Sequence, residues 1–256
     1  LGQGNGAGPA GYAFLSAVII KVLANLGYGA IFTAAMSLLT ISTVCSMFVD
    51  DCDLWQSARD VNEPGEAVAI KMQQAVCTWE GCLSATGGAL SPAKSFWYLL
   101  DYVWTGTSWR YRTKEEMAGQ ILMKDEHGNV HELQRHEPTH PEKTLGVLNA
   151  PDGSMETWEE DEEGQQHRVG QIPYLQGKIE EFTTRLRAAR NTTPNDVWMA
   201  IVTTIMKTLE YPMIAITIDK NGWDTIMRPL LRICLPLAGY SRNFPHAILY
   251  GPTNQG

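Results

Sequence analysis

At 256 residues and 44% hydrophobic content, the chain is long enough to bury one substantial core or two modest ones. Its formal net charge of −8 argues against a broadly basic nucleic-acid coat, because neutralising phosphates needs clustered Lys and Arg. Much of that excess is local: Glu156, Glu159, Glu160, Asp161, Glu162 and Glu163 form one acidic run that reads as a solvated loop, and without it the balance is near neutral.

Five cysteines, Cys45, Cys52, Cys77, Cys82 and Cys234, do not make the dense framework of a small secreted domain. Reduced thiols and an intracellular setting, cytoplasm or nucleus and not secreted, are the expectation. Residues 1–8 are glycine-rich and lack the basic flank of a signal peptide. A start at Leu1 and an end in a polar stretch at Gly256 predict a segment of a longer protein.

Residues 11–49 carry a single charge, Lys21, which invites a membrane hairpin, since a span needs about 20 mostly apolar residues. The periodicity points instead to a helix packed on a core. Leu15, Val18, Ile19, Val22, Leu23 and Leu26 recur at helical spacing, with Ser16, Lys21 and Asn25 between them. Pro9 near the start and Gly27 after the last apolar position match helix start and stop chemistry. Residues 41–49, rich in Thr, Val and Ser, predict a buried strand that delivers Asp50 and Asp51 into a turn; alternation puts Val44, Ser46, Phe48 and Asp50 on one face.

A helix is predicted over residues 66–79, with Asn62 as its cap and Val68, Met72, Val76 and Trp79 as its face. Gly87-Gly88 breaks the pattern. Residues 96–104 read as one strand, turned by Thr105-Gly106-Thr107-Ser108 toward Trp109-Arg110-Tyr111. A second hairpin pairs residues 121–123 with 130–133 around His127-Gly128-Asn129, and a third pairs residues 144–148 with those after Asp152-Gly153.

Beyond the acidic run the pattern turns helical. Leu175, Ile179, Phe182 and Leu186 make one face. Val197, Ile201, Ile205 and Leu209 make another, opened by Thr193 as cap and Pro194 at the first position. Ile226, Leu230, Ile233 and Leu237 make a third, bent at Pro229. The expected organisation is α+β over residues 1–156, an acidic linker over 157–170 and a helical region over 171–256.

Chemistry concentrates at Phe48-Val49-Asp50-Asp51. Adjacent carboxylates at a hairpin tip repel each other, and a hard divalent cation such as Mg²⁺ relieves that repulsion through oxygen ligands. An Asp-Asp pair alone is often no more than a wet surface, so its context has to decide.

That context is a series of short motifs in order along the chain: Gln3-Gly4 with Gly8-Pro9, Phe48-Val49-Asp50-Asp51, Gly88-Ala89-Leu90 through Lys94, and Leu145-Gly146-Val147. In this order they resemble motifs B, C, D and E of reverse transcriptases. Together with Leu235-Pro236 and Tyr250-Gly251-Pro252, the pattern resembles the RNA-directed DNA polymerases of retroelements. The resemblance implies a polymerase palm, an antiparallel sheet with packed helices, followed by a thumb-like helical module.

It also implies template-dependent nucleotidyl transfer with Mg²⁺ or Mn²⁺, two ions serving an in-line attack. The partners would be an RNA or DNA template, a primer and deoxynucleoside triphosphates, with no membrane. Asp50 and Asp51 would be the catalytic metal ligands, and Lys94 would neutralise or protonate the departing pyrophosphate. Gln3, Gly4 and Phe48 (Phe where Tyr is more familiar) would border the nucleotide and template, and Gly146 would admit the primer backbone. The family uses a third carboxylate upstream of motif B, so the segment is expected to be inactive alone. A viral RNA-directed RNA polymerase would share the paired aspartates, but more often has Gly before Asp-Asp and Ser/Thr with Asn in motif B. A degenerate retroelement remnant, acting only as a binding or structural module, is the alternative of another class.

Three competing patterns are weaker. Gly2-x-Gly4-x-x-Ala7 loosely matches a dinucleotide fingerprint, yet the first acidic residue is Asp50, too far on for the ribose contact. His127, His131, His136 and His140 show a His-x₃-His spacing that occurs in zinc sites, but Cys77 and Cys82 lie far away and no second pair completes a tetrahedron, so an exposed His-bearing hairpin and loop is the better reading. Trp97, Tyr98, Tyr102, Trp104, Trp109 and Tyr111 suit cross-strand packing better than base stacking. Arg185, Arg187, Arg190 and Lys207 read equally as phosphate contacts or as an ordinary wet face.

Overall fold

The apolar run near the start of the chain forms the helix that its spacing predicts, α1 (Gly8–Asn25). A computed structural model describes residues 8–48, 51–161 and 163–241, which divide into one compact unit up to Pro138 and a second from Thr139. The buried face of α1 is narrower than expected: Ile19 and Leu23 are buried, whereas Val18 and Leu26 face solvent. Gly27, at φ 83°, ends the helix.

β1 (Ala30–Thr33) and β2 (Thr40–Thr43) pair antiparallel. A Cβ on Gly29 would lie 2.6 Å from the Thr43 carbonyl oxygen, so only glycine lets the chain enter this ladder. The single buried strand expected over residues 41–49 is interrupted. Val44 turns inward at a bend, Ile41 is exposed, and a separate strand β3 (Cys45–Phe48) follows. Val44 therefore does not share a face with Ser46 and Phe48. β3 pairs antiparallel with β4 (Asp51–Leu54), Phe48 opposite Asp51 and Cys45 opposite Leu54.

α2 (Gly65–Ser84) is longer than predicted and starts after Pro64, with no side-chain cap. Asn62 is not the cap, because its backbone N–H and side-chain amide both donate to Asp60 Oδ1, at 2.8 and 2.9 Å, in the turn before the helix. α2 lies between two apolar clusters. Ala75, Trp79 and Leu83 pack with Ile19, Leu23 and Val44, joined by Cys45, Met47, Cys52 and Leu54 of the β3–β4 hairpin. Ala69 and Val76 pack on the other side with Trp97, Leu99, Met117, Ile121, Met123 and Leu133.

A 3₁₀ turn (Pro92–Lys94) leads into β5 (Phe96–Tyr98), which stops before β6 (Tyr102–Trp104) instead of continuing into it. β6 turns back into β7 (Trp109–Tyr111) as expected, with Tyr102 opposite Tyr111 and Trp104 opposite Trp109. Those ring pairs meet at a tilt across the strands, with centroids 4.7 and 5.3 Å apart. β8 (Leu122–Lys124) and β9 (Val130–Glu132) form the predicted second hairpin. β10 (Gln134–His136) returns parallel to β5, a pairing that links residues nearly 40 apart in sequence and leaves no local signal.

In the second unit, β11 (Glu142–Thr144) and β12 (Val147–Asn149) turn at Leu145-Gly146, so the third hairpin closes there and not at Asp152-Gly153. The acidic run is not simply a loop. Residues 156–160 form β13 (Glu156–Glu160), paired with β14 (Gln166–Gly170), and Arg168 forms an ion pair with Glu156 across the ladder. α3 (Gln171–Ala188) follows, burying Leu175, Ile179 and Leu186 as predicted.

α4 (Pro194–Ala200) opens with the expected Thr193 cap, here a reciprocal capping box with Asp196. It continues through a π-helical segment (Ile201–Ile205) into α5 (Met206–Glu210) and a 3₁₀ turn (Tyr211–Ile214). Val197, Ile201, Ile205 and Leu209 are all buried. Their strict spacing of four would drift by about 40° per step on an α-helix, and the wider π turn rewinds that drift.

α6 (Lys220–Leu237) runs through Pro229, with Asp219 as its cap. Its buried line is Ile226, Leu230 and Cys234; the expected Ile233 and Leu237 lie to one side, and Leu237 is exposed. These helices share one apolar core. The whole is an α+β chain. Among the described residues the strands form seven two-stranded ladders, six antiparallel and one parallel, without joining into one broad sheet. No helix among them is long and apolar enough to cross a membrane.

Candidate active site

The β3–β4 hairpin is two-faced because its strand period is two. Cys45, Met47, Cys52 and Leu54 point into the cluster with α1 and α2, while Ser46, Phe48, Asp51 and Asp53 stand on the exposed face. Phe48 is 60% exposed directly across from Asp51. Ser46 accepts a hydrogen bond from the Trp55 indole N–H at 2.9 Å, and Trp55 meets Phe32 edge-on at 6.1 Å. An indole and a phenyl ring therefore flank the polar face.

Behind it, the Cys52 thiol is pushed well above its ordinary range, chiefly by a hydrogen bond with the Cys45 sulfur and then by burial. Asp53 is held above the usual carboxylate range, first by partial burial and then by the negative charge of Asp51. The sequence reading passed over Asp53, although its spacing of two from Asp51 already placed both on one strand face. The donor set is made of carboxylate oxygens on an open, crowded acidic face. It is of the hard kind that takes Mg²⁺ or Mn²⁺.

Asp50, Gln3 and Gly4 lie outside the described residues. Lys94 is described: it ends the 3₁₀ turn, exposed, and makes no ion pair among the described residues. In the second unit, Gly146 occupies the β11–β12 turn at φ 83°, preceded by Leu145 at φ 51°. Both central residues have positive φ, the geometry of a tight hairpin turn in which glycine removes the Cβ penalty.

A Cβ on Gly146 would meet only Tyr211 Cε1, at 3.6 Å, so the turn packs against the end of α5. Tyr211 donates its hydroxyl proton to the Leu145 carbonyl at 2.9 Å, and Gln171 Oε1 accepts the Leu148 N–H at 2.7 Å. Neither Tyr211 nor Gln171 carried a signal in the sequence, since both act through residues more than 20 positions away.

The other candidate groups resolve into local structure. His131 Nε2 lies 2.9 Å from Asp125 Oδ2 in the β8–β9 turn, and His136 is buried against the rings of Phe96 and Tyr98. Trp97 is buried under the Arg135 guanidinium, whereas Tyr102, Trp104 and Trp109 remain exposed despite their cross-strand partners. Arg185 pairs with Glu181 and Lys207 with Glu210, as ordinary exposed helix pairs do. No protein-family profile, curated protein or solved structure matches the chain.

Proposed function

We propose that the chain is the palm-and-thumb part of a retroelement reverse transcriptase, an RNA-directed DNA polymerase. The observation that carries this reading is the β3–β4 hairpin, with Phe48 and Asp51 facing each other across the two residues Val49 and Asp50. Its inner face is anchored on two helices and its outer face is acidic. Such a scaffold suits phosphoryl-transfer chemistry, where positioning and charge stabilisation do most of the work.

Asp50 and Asp51 would hold divalent ions, which when bound stabilise charge on the attacking and leaving phosphate oxygens. The chain's own part is geometric. The apolar inner face supports the hairpin and Phe48 stands opposite Asp51, while in the second unit the Leu145-Gly146 turn would present its backbone to a primer strand. Lys94, exposed and unpaired among the described residues, is free to meet a pyrophosphate.

The test has two stages. Titration with Mn²⁺, followed by paramagnetic broadening of backbone amides, should affect Phe48 and Cys52 first, and Asp51→Asn should abolish that selectivity. A longer version carrying an additional strand-borne aspartate should then extend a primer with deoxynucleotides on an RNA template. There, Asp50→Asn should cut the rate by about 10²–10³, the scale on which removing one transition-state electrostatic contact acts. Uniform broadening, or extension indifferent to both aspartates, would remove the assignment. Extension with ribonucleotides alone would reassign it to an RNA polymerase.

A further inference from the structure

The second unit gathers two histidines around one carboxylate. Strand register sets the first contact: His167 of β14 stands directly across from Glu159 of β13. In an antiparallel pair that position holds the two Cβ atoms about 4.5–5.5 Å apart. His167 Nε2 lies 3.7 Å from Glu159 Oε2. His140, just ahead of β11, brings its Nδ1 to 3.4 Å from the other oxygen, Glu159 Oε1. The second nitrogen of the same ring, Nε2, lies 3.8 Å from Glu142 Oε2. Pro141, between His140 and Glu142, is fully buried and its ring fixes φ, so both side chains ride on a stiff segment.

These contacts are ion pairs only while the rings are protonated. With neutral rings Glu159 has no cation, because it pairs with no lysine or arginine among the described residues. A neutral imidazole instead offers a nitrogen lone pair, which a transition cation accepts. Two ligands on one tetrahedral Zn²⁺, with bonds of about 2.0–2.1 Å, lie about 3.3 Å from each other. The nitrogen–oxygen separations at Glu159 are 3.4 and 3.7 Å, close to that span before any ion draws the groups in. The His167 side chain is 51% exposed, so its ring has room to turn toward His140. Glu142 stands where metal-binding histidines keep a carboxylate, on the ring nitrogen away from the ion.

We propose that His140 Nδ1, the Glu159 carboxylate and His167 Nε2 form a binding site for a divalent transition cation of the zinc class, with Glu142 orienting the His140 ring. Two imidazoles and a carboxylate are a three-ligand set, which leaves the fourth position to water. Imidazole nitrogen suits zinc better than magnesium, so the site is selective against the hard ions that carboxylates alone would take. A bound ion ties β13 and β14 to the chain ahead of β11. The site owes nothing to the polymerase reading and shares no residue with the β3–β4 hairpin.

The experiment is a titration of the full chain with Co²⁺ in excess Mg²⁺, followed by the visible absorption that tetrahedral Co²⁺ acquires on nitrogen and oxygen ligands. One Co²⁺ should bind per chain, and Zn²⁺ should displace it. Glu142→Gln should weaken binding about tenfold, within the range of about 10–100-fold on which the outer partners of a metal ligand act. His140→Gln, Glu159→Gln and His167→Gln each remove a ligand and should weaken it by about a hundredfold or more, beyond that outer-partner effect. His131→Gln, in the first unit, should leave it unchanged.

Circular dichroism establishes that each variant is folded before it is titrated, and His167→Gln alters a half-exposed side chain that the core does not need. Absence of the tetrahedral bands, displacement of Co²⁺ by Mg²⁺ as readily as by Zn²⁺, or affinity unchanged in both Glu159→Gln and His167→Gln would mean that the rings do no more than pair with Glu159, and would overturn the inference. Because the readout needs no primer, template or nucleotide, its outcome is independent of polymerase activity.

Discussion

The hairpins β3–β4 and β11–β12 are supported by opposite means. The first is held from behind by Cys45, Met47, Cys52 and Leu54, packed with Trp79 and Leu83 of α2 and Leu23 of α1. The second is held by polar atoms: Gln171 Oε1 on the Leu148 N–H and the Tyr211 hydroxyl on the Leu145 carbonyl. Apolar support is non-directional and strong in sum, and it leaves the opposite face free for charges. Hydrogen-bonded support adds little net energy per contact but specifies where each turn atom lies.

This contrast can be broken experimentally. The largest effect is expected from Trp79→Ala. Trp79 is 2% exposed, and losing a buried indole costs about 3–5 kcal/mol. Urea unfolding should register that loss, and amide exchange should quicken across β3–β4 while β11–β12 keeps its protection. Equal loss in both hairpins would mean that they are not separately supported.

A smaller effect is expected from Gly146→Ala, which puts a Cβ on a residue at φ 83°, a left-handed geometry that costs about 1–2 kcal/mol. Thermal unfolding should report it, and Gly177→Ala, at an open helical position, should not lower stability. The smallest is Tyr211→Phe, which removes one hydroxyl donor to Leu145 and should cost about 0.5–1.5 kcal/mol. Its signature is local, faster exchange confined to the β11–β12 turn, and a global destabilisation of several kcal/mol would show that the turn is not held by single polar contacts.

Much of the local structure was legible. The helical faces at Leu175 and Ile179, and at Val197 to Leu209, stand where periodicity puts them, and Thr193-Pro194 starts its helix as its chemistry demands. The two sides of the β3–β4 hairpin were legible from alternation over Cys45–Phe48. The bend at Val44 was not, because an apolar residue continues a strand pattern as readily as it ends one. Nor was the β13 strand inside the acidic run, whose charges read as solvated until Arg168 and His167 come across the ladder to meet Glu156 and Glu159. Cys234 replaced Ile233 and Leu237 on the buried face of α6, since several apolar residues in one turn leave the rotation of the helix undetermined.

The order of residues alone determined the buried faces of α3 and of the helix opened by Thr193-Pro194, and the hairpins β6–β7 and β8–β9. These are contests among residues a few positions apart, and propensity, capping and turn geometry decide them locally. Only the tertiary structure decided that α2 would separate two apolar clusters, that β5 would pair with β10, and that Gln171 and Tyr211 would grip a turn formed by residues far away in the chain. Those outcomes depend on which distant surfaces bury each other best, a property of the whole packed chain that no short window of sequence contains.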